Sequence, residues 1–163
     1  MSLPRAEELE VEKLGPCSIE SPLRDGVRLV DDDHGVLPFS DTAQLRQFQE
    51  SGGPLPAFEA AGPRSRLYFD PRELTCGIVT CGGLCPGSND VIRSIVMTLT
   101  RMYGIREILG FRYGYAGLAS KVGVDPIRLG PDVVNRIHEW GGTLLSSSRG
   151  SQDLSEMIDS MMR

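Results

Sequence analysis

Histidine is scarce in this sequence, with only His34 and His138 in 163 residues, and there are four cysteines, Cys17, Cys76, Cys81 and Cys85. A structural zinc ion takes four ligands. Both histidines are far from Cys81 and Cys85, and those two cysteines have three residues between them rather than the two of C-x-x-C. The pattern argues against a zinc site and for reduced, partly buried thiols. A basic excess is also missing. The formal net charge of -5 gives no electrostatic footprint for nucleic acid or for an anionic membrane. No apolar run approaches the ~20 residues that span a bilayer. Residues 1–13 are acidic, unlike a signal peptide and unlike an Arg-rich transit peptide. The expectation is a soluble, cytoplasmic chain with no nucleic-acid or membrane partner.

What is present suffices for one domain with a real core. The chain is 40% apolar and 24% charged, and a chain of this size buries roughly 70% of its unfolded surface. Residues 1–72 hold most of the prolines and the acidic triplet Asp31 to Asp33, with little sustained periodicity. They read as an extended amino-terminal arm. One short helix is predicted there over Thr42 to Glu50, with Ser40 or Asp41 as N-cap and Gly52-Gly53 as the stop.

The pattern changes at Leu74. Leu74 to Thr80 is a short apolar, β-branched run that ends in CGGLCPG and leads into a helical pattern. Val91, Ile92, Ile95, Val96, Leu99, Met102 and Tyr103 fall at the 3.6-residue period, with Ser88 or Asn89 as cap and Gly104 at the end. A second strand is predicted over Ile105 to Phe111, and then the loop Arg112 to Leu118. Pro131 opens a helix that Gly141 closes, with Val133, Val134, Ile137 and Trp140 as its buried face. A third strand is predicted at Thr143 to Leu145, running into SSSRG, and a last helix over Asp153 to Met162. Such alternation predicts an α/β fold with a mostly parallel sheet and ligand sites beyond the carboxyl ends of its strands. The final helix has no following strand, so the chain reads as truncated.

Two loops fall at such strand ends. Cys81 to Gly87 places three glycines before a helix amino terminus, where backbone N–H groups favour an anion. It is neither a Walker A loop nor G-x-G-x-x-G. It reads equally as a tight strand-to-helix turn whose glycines meet torsional needs. Gly141 to Gly150 puts Arg149 beside Gly150 after three serines. A guanidinium suits phosphate oxygens, although a lone arginine in a polar turn is also simply solvated. Tyr113 and Tyr115, in the loop between, offer an aromatic wall for a base or ordinary packing.

In order and spacing, YFDP at Tyr68 to Pro71, GIVTCGGLCPGSNDVIRSIV from Gly77, GFRYGYAGL from Gly110 and GGTLLSSSRG from Gly141 resemble the phosphofructokinase family. Leu84 with a cysteine on either side resembles its plant-type, ATP-using branch. The resemblance implies a partial Rossmann-like three-layer sandwich. Residues 73–163 would be the first part of the nucleotide-binding domain, cut short at the carboxyl end, and 1–72 an irregular arm. It implies transfer of the ATP γ-phosphoryl group to fructose 6-phosphate, with Mg²⁺, in a homo-oligomer. Gly83, Tyr115, Arg149 and Gly150 are the ATP-binding residues it implies. No catalytic base and no metal ligand is expected here, because the family's G-G-D-G, T-I-D-x-D and M-G-R segments would follow residue 163. The isolated chain is therefore expected to be inactive. Two alternatives stand beside this reading: a non-enzymatic short product that binds nucleotide or pairs with full-length subunits, and a pyrophosphate-dependent relative.

Overall fold

A computed structural model describes residues 4–23, 26–83, 86–119 and 124–162. The chain divides into two compact units, Met1–Phe69 and Asp70–Arg163. In the first, short antiparallel pairs replace a sheet. Strand β1 (Ile19–Glu20) pairs with β4 (Arg66–Leu67), and β2 (Gly35–Val36) pairs with β3 (Phe58–Glu59). Helix α1 (Thr42–Ser51) starts and stops as its sequence predicts. The Asp41 side chain accepts from Ala43 N–H, and Gly52 ends the helix at φ 68°. Polar groups tie much of this unit together. The Arg64 side chain, 16% exposed, donates to the carbonyls of Val30, Asp31 and Ala60 and meets Glu59 and Asp32.

The second unit opens on a turn that Asp70 ties. Its carboxylate accepts from Arg72 N–H at 2.9 Å and from the Arg72 guanidinium, Nη2 to Oδ2, at 2.6 Å. The side-chain bonds first, and then the backbone bond, hold the Asp70 carboxyl down to about 2, against an ordinary 3.8. A depressed carboxylate stabilises the fold above its unfolded pKa, and that contribution is lost as pH falls through the folded value. The window here runs from 3.8 down to about 2. Asp70→Asn is expected to flatten the fall of melting temperature across this window and to change little at neutral pH, because Arg72 is 80% exposed. Equal acid slopes for the two proteins, followed by circular dichroism, would discard this role.

Beyond the turn the architecture is α/β, a partial Rossmann-like arrangement around a mixed sheet ordered β5-β6-β7. Strand β5 (Thr75–Val79) pairs in parallel with β6 (Glu107–Phe111) along its whole length, and β7 (Ile127–Arg128) adds an antiparallel edge of two residues. Between β5 and β6 runs α2 (Ser88–Arg101). It ends where Gly104 turns left-handed at φ 72° and Ile105 N–H reaches back to Leu99 O. Ile92 and Val96 of α2 are fully covered against Ile108 of β6 and against Val134 and Ile137. Full burial of such side chains contributes about 1.5–3 kcal/mol each. Among the described residues no helix is long and apolar enough to cross a membrane.

Three expectations change. The apolar stripe on α2 is narrower than its sequence pattern, since Val91, Ile95 and Met102 are exposed. These lie roughly 60–100° around the helix from Ile92, Val96 and Leu99, and Ile108, Val134 and Ile137 cover only the latter row. The helix predicted from Pro131 to Gly141 is α4 (Pro131–Val134) and then a 3₁₀ turn, Ile137–Glu139. Arg93 Nε takes the Asn135 carbonyl, and Glu139 N–H bonds Arg136 O instead. Val134 and Ile137 are buried as expected, but Val133 and Trp140 are 37% and 57% exposed. Finally, Thr143 to Leu145 forms turns and not a strand. Leu144 N–H is taken by Asn89 Oδ1 and Leu145 N–H by Thr143 Oγ1, so neither is left for a ladder. Parallel pairing survives only as a bridge between Cys81 and Ser148. Two short helical segments complete the unit, α3 (Tyr115–Leu118) and α5 (Leu154–Met161), the latter capped by Asp153.

Candidate functional site

Where β5 ends, the chain runs into the first glycines of the loop, and the segment from Gly141 to Arg149 closes over them. Gly82 N–H donates to Ser148 O at 3.2 Å, and Ser147 Oγ donates to Gly82 O at 2.7 Å. Thr80 Oγ1 donates to Ser146 O at 2.5 Å. Tyr113 N–H donates to Leu145 O at 2.8 Å, which ties in the loop after β6. Tyr113 and Ser146 hold left-handed conformations, φ 64° and 56°, that cost non-glycine residues energy. The hydrogen bonds just described hold them there.

These ties frame an open cavity of about 570 Å³ lined by Gly82, Gly83, Gly141, Gly142, Thr143, Ser146, Ser147, Ser148 and Arg149. Its chemistry is one-sided. Glycine backbone and hydroxyl groups surround a single cation, and no carboxylate is among the lining residues. Gly83 faces the guanidinium so closely that a Cβ there would sit 2.7 Å from Arg149 Nη2. Among the described residues, no hydrogen bond or ion pair engages the Arg149 side chain. Such a wall suits an anion with several oxygens, because the guanidinium offers a planar fork of donors and no described side chain neutralises it.

Of the residues singled out from the sequence, the structure brings Gly83 and Arg149 together. Tyr115 and Gly150 are not in the cavity wall. Tyr115 opens α3 with 48% of its surface exposed, and Gly150 stands at φ 106°, with nothing within 4 Å of where a Cβ would be. Gly150 thus supplies the left-handed turn directly after Arg149. The sequence reading missed Gly141 and Gly142 as wall residues; their adjacency in GGT was the only available signal. Leu84 and Cys85, which carried the likeness to plant-type enzymes, lie outside the described residues. Cys17, Cys76 and Cys81 are free thiols, and burial pushes the Cys76 thiol up.

A family profile for phosphofructokinase matches residues 75–163, the span that builds this cavity. The chain belongs to the phosphofructokinase family. Phosphofructokinase relatives come from several branches of life. An ATP-dependent 6-phosphofructokinase of Amycolatopsis methanolica is 43% identical over 95% of this chain and 35% of its own length. One from Trypanosoma brucei brucei is 52% identical over 64% of this chain and 22% of its own. ATP-dependent 6-phosphofructokinase 4, chloroplastic, of Arabidopsis thaliana is 51% identical over 64% and 19%. The crystal structure of Pichia pastoris phosphofructokinase in the T-state aligns with a TM-score of 0.42 at 17% identity, over 78% of this chain and 17% of that one. This phosphofructokinase chain spans about a third of the length of the curated relatives that it matches along nearly its whole extent, 35% and 36%.

Proposed function

We infer that this chain supplies the nucleotide-phosphate side of an ATP-dependent 6-phosphofructokinase of the plant-type branch, the enzyme that phosphorylates fructose 6-phosphate. The observation that carries the reading is the approach of Gly83 to the unengaged Arg149 guanidinium across a wall of glycines and hydroxyls. Phosphoryl transfer is mainly positioning and charge stabilisation. In this reading Gly83 leaves room for the phosphates and Arg149 meets their charge. Gly150 sets the turn that aims the arginine, and Tyr115 borders the nucleotide. The reading extends to a cytoplasmic homo-oligomer.

ATP brings a divalent cation, Mg²⁺ in this reading. The described residues do not fit one of their own: no group of three His, Cys, Asp or Glu side chains is placed to hold a metal, and the cavity wall carries no carboxylate. In this reading the cation arrives with the nucleotide. No proton acceptor for the sugar hydroxyl lines the cavity either. Asp125, Asp132 and Asp159 carry no described tie to it, and Asp153 caps α5 through Glu156 N–H.

Titration of the 163-residue chain with ATP and Mg²⁺, and separately with inorganic pyrophosphate, tests this by amide chemical-shift mapping. ATP is expected to shift Gly83, Ser147 and Arg149, with no turnover of fructose 6-phosphate in a coupled assay. Shifts confined to other residues would overturn the site, and tighter binding of pyrophosphate than of ATP would overturn the donor.

A further inference from the structure

Asn89 is the buried polar residue of the second unit, 3% exposed, and its side chain spans a gap that the backbone leaves open. It sits in the first turn of α2, where its sequence suggested a cap, but Gly87 is the N-cap. The amide instead reaches across to the other wall. Its Oδ1 accepts from Leu144 N–H at 2.7 Å, and its Nδ2 donates to Trp140 O at 3.2 Å. One side chain therefore clasps both ends of Gly141-Gly142-Thr143, the stretch that lines the cavity opposite Gly83. Those two glycines have the largest conformational freedom to lose, and Gly142 sits at φ 80° with nothing near it. A buried amide whose two ends both bond backbone is costly to remove, because Leu144 N–H would be left without its partner.

We propose that Asn89 is a positioning residue for the anion cavity: it fixes the Gly141–Thr143 wall to the start of α2, and thereby its distance from the glycine loop and Arg149. This rests on the nucleotide reading of the cavity, and it adds to that reading the element that holds the two walls in register. Asn89 touches no ligand itself. An asparagine is suited to the task because it presents an acceptor and a donor side by side, as a peptide group does. Aspartate would keep only the acceptor, and alanine neither.

The test compares Asn89→Ala with Val96→Ala in the full chain. Val96 is 0% exposed on the same helix and is not a cavity residue, so it reports what loss of stability alone does. By amide hydrogen exchange, Asn89→Ala is expected to speed exchange at Leu144 by about tenfold or more relative to Val96→Ala. Asn89→Asp is expected to restore protection at Leu144. At a temperature where circular dichroism shows every variant folded, ATP affinity is expected to fall about tenfold in Asn89→Ala and to hold in Val96→Ala. Equal effects of the two alanine variants on exchange would overturn the proposal. So would faster exchange with unchanged ATP affinity, which would make Asn89 a structural residue only. If the unsubstituted chain binds neither ATP nor inorganic phosphate, the nucleotide reading falls, and the exchange comparison still decides whether Asn89 holds the wall.

Discussion

Arg149→Ala, made in the full-length enzyme proposed for this chain, is expected to lower turnover of fructose 6-phosphate by roughly a hundredfold or more. Removing one preorganised donor from a developing charge costs about 2.7–4 kcal/mol where such donors have been deleted, and each 1.4 kcal/mol is about tenfold in rate. The size of the effect follows from the emptiness around the side chain. Arg149 is the one cation in the described cavity wall, and no carboxylate there competes for it. Losing it leaves glycine backbone and serine hydroxyls facing the phosphates. Arg149→Lys is expected to recover part of the loss, because a point charge remains while the planar fork does not. A coupled assay over a range of ATP concentrations separates the possibilities. A fall in kcat marks an interaction made in the transition state, whereas a rise in KM alone would mean that the arginine grips ground state and transition state equally. Near-normal kcat and KM in Arg149→Ala would remove Arg149 from the site.

Local signals were the ones that sequence carried well. The cap at Asp41, the glycine stops at Gly52 and Gly104, the strand before the glycine loop and the Asp153 cap all lie where a residue's own chemistry decides its conformation. What the sequence did not show depends on partners distant in the chain. The turn at Thr143 to Leu145 reads as a strand until Asn89, more than fifty residues earlier, takes the Leu144 N–H. The α2 stripe reads as one wide apolar face, because Val91 and Ile95 are as apolar as Ile92 and Val96. Only the placement of β6 and α4 decides which row is covered. For the site, Gly83 and Arg149 were legible as separate loops at strand ends. The family resemblance implied one ATP site for both; their close approach, beside a bridge between Cys81 and Ser148, came from the structure alone. Tyr115 was legible as an aromatic in the loop after β6, but side-chain direction at the first residue of a four-residue helix is set by the turn before it and not by spacing.

That turn carries the second large effect. Gly117→Ala is expected to destabilise the second unit by about 3 kcal/mol, the upper part of the range for overpacked sites. A Cβ on Gly117 would collide with the carbonyl oxygen of Arg112. The obstacle is backbone, so no rotamer change relieves it, and Arg112 follows directly on β6. Relief would require the loop from Arg112 to Leu118 to open. Gly117 N–H would then draw away from Gly114 O, now 3.0 Å distant, and Leu118 would leave the core, where it is 7% exposed. For a chain of this length the cost corresponds to a fall in melting temperature on the order of 10 °C. Gly141→Ala is the control. Nothing lies within 4 Å of a Cβ there, and its φ is not in the left-handed region. The added methyl restricts the unfolded chain more than it disturbs the folded one, so stability is expected to hold or rise by about 0.4–1 kcal/mol. The two alanines add the same atom to glycines 24 residues apart, yet only Gly117→Ala is expected to lower the melting temperature. A Gly117→Ala chain that melts together with the Gly141→Ala chain would show that the turn before α3 yields freely. Tyr113 and Tyr115 would then have no fixed position from which to border a ligand.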